Sequence, residues 1–298
     1  MATVAHARER SPARRDVAWA GSLRRILVLP LVLAVLWGLW EGYRELWVTT
    51  GWTKPFKVDN ITMPHLHAIV AQLFTRLSTG QLLIDYLFHH ALFTAKEAAV
   101  GFALGASFGF ALGVLLAHFR VLQRGLMPYV VASQTIPIIA IAPIVVTGLG
   151  GGIFGWTPAD WERVTVIAAY LTFFPVTVNT VRGLQSVDPQ ALELMHSYAA
   201  GGWSILWKLR VPSALPYLFS AFKIAATASV VGAIIGEAPS SIQSGLGGAI
   251  ISFNQYYSLE PKNLWATNLI AALLGISFFL VVVGVERLVV RRAPEHLV

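Results

Sequence analysis

The stretch VDPQALELMHSYAAGGWSILWKLRVPSALP, residues 187–216, interrupts a chain that is otherwise strongly apolar. It holds a Gly pair, two cations and three prolines, so no single helix is expected to run through it and on across a bilayer. Asp188 followed by Pro189 is a helix start, an N-cap acid with a first-turn proline. Ala191, Leu194, Met195, Tyr198 and Ala199 then recur at helical spacing, which predicts an amphipathic helix of about three turns. Gly201 and Gly202 are expected to end it in left-handed geometry. A second short helix is predicted over residues 203–210, with Ser204 and Lys208 on one side and Trp203, Leu206 and Trp207 on another. Pro212 is expected to stop it, and the region of Pro216 to begin the next apolar run. The apolar faces of this helix–turn–helix are too large to leave in water. They meet either the protein's own helix ends and lipid headgroups or a soluble partner.

Composition identifies the solvent around the rest. Of 298 residues, 56% are hydrophobic and only 12% charged, where a soluble domain is about a quarter charged. There is no cysteine, which excludes disulfides and thiolate metal sites. The N-terminal 25 residues are basic and run into an apolar stretch without a small-residue cleavage site, which reads as a basic tail before a retained helix.

Six predominantly apolar runs are long enough to span, at about 26–47, 95–117, 126–150, 164–182, 215–237 and 264–286. Trp37, Trp40, Trp47 and Trp52 form an aromatic belt near the end of the first. Lys223, in the fifth, must sit near one membrane face or snorkel to it. With the N-terminus inside, fourteen Lys and Arg fall on the cytoplasmic side against seven outside, which sets the orientation. Both termini and residues 187–216 are then cytoplasmic. The net charge of +7 reflects membrane orientation, not a nucleic-acid surface. The division expected is a basic tail 1–25, a membrane domain 26–292 with its loop at 186–212, and a short cytoplasmic tail 293–298.

Gly101, Gly105, Gly109 and Gly113 recur every four residues, and Ala221, Ala225, Ser229 and Ala233 repeat the device with Gly232 and Gly236. Bare faces of this kind let membrane helices approach closely. Outside, Leu66, Ile69, Val70, Leu73, Phe74 and Leu77 make one helical stripe, too short to span. No ionisable residue lies in the centre of any predicted span, which argues against a self-energised pump. No phosphate-binding G-x-x-x-x-G-K-[ST] loop is present. His65, His67, His89 and His90 invite a metal reading. No carboxylate cluster near them in sequence completes a ligand set, so no metal site is expected.

Residues 187–225 resemble the EAA loop of type I ABC importer permeases, in particular the subfamily for nitrate, sulfonate, taurine, thiamine-precursor and riboflavin uptake. Glu193 matches the motif's Glu, Leu194 and Met195 take the alanine places, Ala199 falls where the motif has Gly, and Val211-Pro212 falls at its Leu-Pro. The likeness extends over about 60–285, through TIPIIAIAPIVVTGLG at 135–150 and GAIIGEAPSSIQSGLGGAI at 232–250. Residues 42–63 are longer than usual for the family. With Gly absent at 199, the turn is expected two positions later, at Gly201-Gly202.

The resemblance implies an all-α membrane protein of six transmembrane helices with cytoplasmic coupling helices, in a bacterial inner membrane. It implies a second permease copy, two cytosolic ATPase subunits that alone bind ATP and Mg, and an external solute-binding protein. It implies that the chain itself does no chemistry. Glu193, Met195, Tyr198, Ala199, Gly201, Gly202, Trp203, Leu206, Trp207, Lys208 and Pro212 would form the ATPase-coupling surface, with Arg210 free to pair with partner acids. Gln134, Thr135, Tyr170, Phe173, Phe174, Thr177, Asn179 and Ser229 are candidates for the solute path. An aromatic path without a mid-span cation slightly favours a flat heterocycle. A self-sufficient channel or secondary carrier is the alternative.

Overall fold

A computed structural model describes residues 13–51, 54, 57–152, 157–238 and 243–290. The basic tail up to residue 12, Trp52 and the C-terminal tail lie outside the described residues. The chain divides into two compact units, residues 1–70 and 71–298.

In the first unit, helix α1 (Ala13–Thr50) carries the first apolar run. The chain that follows returns to it. Trp40 donates its indole N–H to Pro64 O at 3.2 Å, and Arg44 donates to Met63 O at 3.1 Å and to Asn60 Oδ1 at 2.6 Å. Asp59 accepts the amides of Ile61 and Thr62, both at 2.9 Å. The Thr62 amide foremost, helped by that of Ile61, holds this carboxyl below the usual carboxylate range. Part of the long 42–63 segment is therefore a turn tied to α1. Helix α2 is Leu66–Gln72; the longer external helix expected through Leu77 ends there.

The second unit contains helices α3 (Leu83–His118), α4 (Arg120–Ser133), α5 (Ile138–Gly150), α6 (Asp160–Gln185), α7 (Pro189–Ser197), α8 (Gly202–Ile205), α9 (Val211–Glu237), α10 (Leu246–Gln255) and α11 (Pro261–Val289), with a π-helical turn at Leu206–Arg210 between α8 and α9. Among the described residues, four helical stretches are long and apolar enough to cross a membrane: 83–118, 160–185, 202–237 and 261–289. At about 1.5 Å per residue, the 36 residues of α3 reach about 54 Å, well beyond a hydrocarbon core of about 30 Å.

The third predicted span is not one straight helix. Helices α4 and α5 meet at 95° across residues 134–137. Pro137 is the cause: it has no N–H to continue the ladder, and its ring drives Ile136 out of helical geometry. The Thr135 and Ile136 amides close turns onto Ala132 O and Ser133 O instead.

Helix α6 is packed between α3 and α9. A Cβ on Gly101, Gly105, Gly109 or Gly113 would come within 3.0 Å of Ala168, Ala169, Thr172, Phe173 or Thr180, all on α6. On the opposite flank, Gly232 meets Ala168 and Leu171, and Ala221, Ala225, Ser229 and Ala233 are fully buried. Small residues thus bring three backbones together, and dispersion contacts replace the hydrophobic drive that lipid cannot supply. Helix α11 joins α9 through an ion pair, Lys223 Nζ to Glu286 Oε2 at 2.9 Å. Lys223 is therefore neutralised by a carboxylate on the neighbouring helix.

Candidate functional site

The loop after α6 is built from local signals. Asp188 accepts the Gln190 amide at 2.9 Å, and Pro189 opens α7 as expected. The end of α7 departs from the sequence expectation. Ala199, not the Gly pair, takes the left-handed conformation at φ 52°, the one non-glycine residue with positive φ among the described residues. The Ala199 amide donates to His196 O at 2.9 Å and the Ala200 amide to Met195 O at 3.0 Å. These paired bonds are the Schellman closure, in which the residue after the cap turns left-handed. Gly201 is extended, with φ −66° and ψ 156°. The turn therefore stays where the family motif has its Gly, and an alanine occupies it.

Pro212 does not stop the second helix. From Gly202 to Glu237 the backbone is helical throughout, passing the proline by the π turn at 206–210. The Val211 amide bonds Leu206 O, five residues back. Pro212 lies in the first turn of α9, and the wider turn before it absorbs its missing donor and bulky ring. The loop is thus joined to the membrane helix as a rigid extension.

Side chains on this loop divide by direction. Leu206 is buried with Ala117, Leu184, Ala214 and Leu218, so it anchors the loop to α3, α6 and α9 and does not offer docking area. Trp203 is 73% exposed, Tyr198 77% and Trp207 46%. The two indoles lie 5.6 Å apart at 65°. Glu193, Gly201, Gly202, Lys208 and Pro212 are also exposed, and Met195 half-buried. Beside the loop lies a cleft of about 1050 Å³, lined by Arg120, Arg124, Thr135, Gln185, Leu192 and Arg210 among others.

A model of the family described as "Binding-protein-dependent transport system inner membrane component" matches residues 109–293. The chain belongs to this permease family. It is 34% identical over 228 residues to the formylaminopyrimidine transport permease protein ThiX of Halalkalibacterium halodurans, covering 76% of this chain and 86% of that one. It is 29% identical over 271 residues to the riboflavin transport system permease protein RibX of Chloroflexus aurantiacus, covering 89% and 90%. A putative aliphatic sulfonates transport permease, SsuC of Bacillus subtilis, is 25% identical over 273 residues, covering 92% and 87%. In fold, the chain is similar to one in the crystal structure of an amino acid ABC transporter with histidines, with TM-score 0.55 and 15% identity, covering 69% of this chain and 95% of that one.

The permease's candidate path residues do not form one surface. Thr177 and Ser229 are fully buried between helices, each bonded to a carbonyl of its own helix, Phe173 O at 2.8 Å and Ala226 O at 2.9 Å. Asn179 likewise bonds Pro175 O at 2.8 Å. Tyr170 donates its hydroxyl to Ser133 O, next to the α4–α5 break, and its ring lies 5.7 Å from that of Phe173. Phe174 is half-buried. Gln134 and Thr135 are exposed at the break itself, and Thr135 alone of the eight lines the cleft.

Sequence reasoning missed a buried acidic pair. Because α3 starts at Leu83, Glu97 lies well inside the helix and is fully buried, as is Glu237 at the end of α9. Their carboxyls adjoin. Glu237 accepts the Thr94 hydroxyl at 2.6 Å and the Gly247 amide at 2.5 Å, and Thr94 accepts the Leu246 amide at 2.9 Å. The first amides of α10 are thereby satisfied from α3 and α9. Among the histidines, His89 bonds Asp85 O, and His90 bonds Tyr86 O and Gln243 O, at 2.8–2.9 Å. His65 Nδ1 lies 2.7 Å from Glu41 Oε2.

Proposed function

We propose that this ABC transporter permease acts as a pair of copies above two cytosolic ATPase subunits, passing a small solute handed over by an external binding protein. The observation that carries this reading is the loop at 189–210. It exposes Trp203, Trp207 and Tyr198, while Leu206 locks it to three membrane helices. Exposed aromatics around a rigid turn are typical interface anchors, and a continuous helix from Gly202 to Glu237 carries any push on the loop into the membrane. In this reading α1 and the α4–α5 pair each cross once, giving six crossings with both termini and the loop in the cytoplasm of a bacterial cell; the Lys and Arg asymmetry supports that orientation.

In this reading the permease binds neither ATP nor Mg, and hydrolysis belongs to the partner. The solute is an aromatic heterocycle of the pyrimidine or flavin type. That choice rests on the names of ThiX and RibX and on the Tyr170/Phe173 face. The cleft beside the loop, lined by Thr135 and Arg210, is half of the inward exit. Mass spectrometry of the ligand held by the co-encoded binding protein tests the solute. A pyrimidine or flavin supports the proposal; a sulfonate or an inorganic anion refutes it.

A further inference from the structure

Glu41, His65 and His67 bring three metal-ligating side chains together within the first unit, and one donor atom from each lies within 4.8 Å of the other two. We propose that these three residues form a binding site for a zinc-class divalent transition metal. Two histidines were evident in the sequence; the carboxylate was missing because it comes from α1, twenty-four residues upstream of His65.

The donors are positioned by contacts that do not depend on a metal. Glu41 Oε2 lies 2.7 Å from His65 Nδ1, and Oε1 accepts the Leu66 amide at 3.2 Å, which fixes the carboxylate plane. The backbone just before His65 is held to the same helix by Trp40 at Pro64 O and by Arg44 at Met63 O. The His65 and His67 rings lie 5.0 Å apart and 31° from parallel.

The donor set selects the ion. Two imidazoles and one carboxylate suit zinc and its neighbours. Calcium and magnesium prefer six or more oxygens, and no thiolate is present to favour copper(I). Ligands about 2.05 Å from a tetrahedral zinc stand about 3.3 Å apart. Binding therefore parts the His65–Glu41 pair by about 0.6 Å and draws the exposed His67 ring inward. Three protein ligands leave one position for water or for a donor from another molecule.

The test uses the full-length permease, purified in detergent without a histidine tag and stripped with chelator. Zinc chloride is titrated against a colorimetric chelator, and cobalt chloride is followed by visible absorption. The expected result is one equivalent per chain, with a cobalt spectrum of low coordination number. His67→Ala, which retains the His65–Glu41 contact and so the local fold, should weaken binding by more than the 10- to 100-fold, roughly, that losing an outer-shell partner costs. His89→Ala and His90→Ala should bind as the wild type does. No stoichiometric binding by the wild type would overturn the proposal and leave a plain His65–Glu41 hydrogen bond. Binding that survives unchanged in both His65→Ala and His67→Ala would overturn it as well.

Discussion

The hydroxyl of Thr94 on α3 donates to Glu237 Oε1 on α9 at 2.6 Å, joining positions 143 residues apart. The same two side chains receive the first amides of α10, so a single polar knot ties three helices where two of them end. Gly245 is glycine because a Cβ there would overlap the Glu237 carboxylate.

Replacing Glu237 with Ala leaves the buried Gly247 amide without an acceptor, at a cost of about 1–3 kcal/mol. Glu237→Gln keeps one oxygen and should lose less. Thermal midpoints should fall in the order wild type, Gln, Ala, and hydrogen exchange should quicken first at residues 245–249.

Ala199 holds a left-handed backbone that costs an L-residue roughly 1–2 kcal/mol. Ala199→Gly should therefore raise the thermal midpoint, while Ala199→Val should lower it and weaken coupling. Gly201→Ala and Gly202→Ala should be near neutral, because their Cβ atoms meet nothing within 4 Å. Detergent melting curves of the four variants check this ordering.

Gly109 faces Phe173 O and Val176 across the α3–α6 contact. Gly109→Val must push the helices apart, an overpacking cost of about 1–3 kcal/mol. The variant should insert but melt earlier, as size-exclusion profiles after mild heating would show. Gly38→Val on α1, with open space around it, is the control.

Lys223 and Glu286 are each about a quarter exposed, so either single neutralisation strands a largely desolvated charge. Lys223→Met with Glu286→Leu should be more stable than either change alone. Thermal midpoints around this double-mutant cycle measure the coupling; additive losses would show that the pair contributes nothing as a pair.

What could be read in the chain was periodic or local. The glycine stripe at 101–113 and the Asp188-Pro189 start each depend on neighbours a few residues away, and both stand as expected. The bend at 134–137 escaped because hydropathy records length and not direction, although Pro137 was there to see. The π turn at 206–210 escaped because a first-turn proline and a helix-stopping proline look alike in sequence. Ala199 was misjudged because glycine is the cheaper left-handed residue, yet the Schellman bonds to Met195 and His196 outweigh that preference. The Glu41–His65 and Thr94–Glu237 contacts join distant segments, for which no spacing rule exists.

The central claim is that loop 189–210 passes the work of a separate ATPase to the membrane helices. Its most direct test is solute uptake by proteoliposomes holding the permease, its ATPase and its binding protein, compared between wild type and the Trp203→Ala/Trp207→Ala double variant. Uptake by the wild type should require ATP and the binding protein. The variant should insert normally yet lose ATPase binding by about 30-fold or more, as removal of an interface anchor worth about 2 kcal/mol implies, and with it uptake. Uptake by the permease alone without ATP, or full coupling in the double variant, would contradict the account.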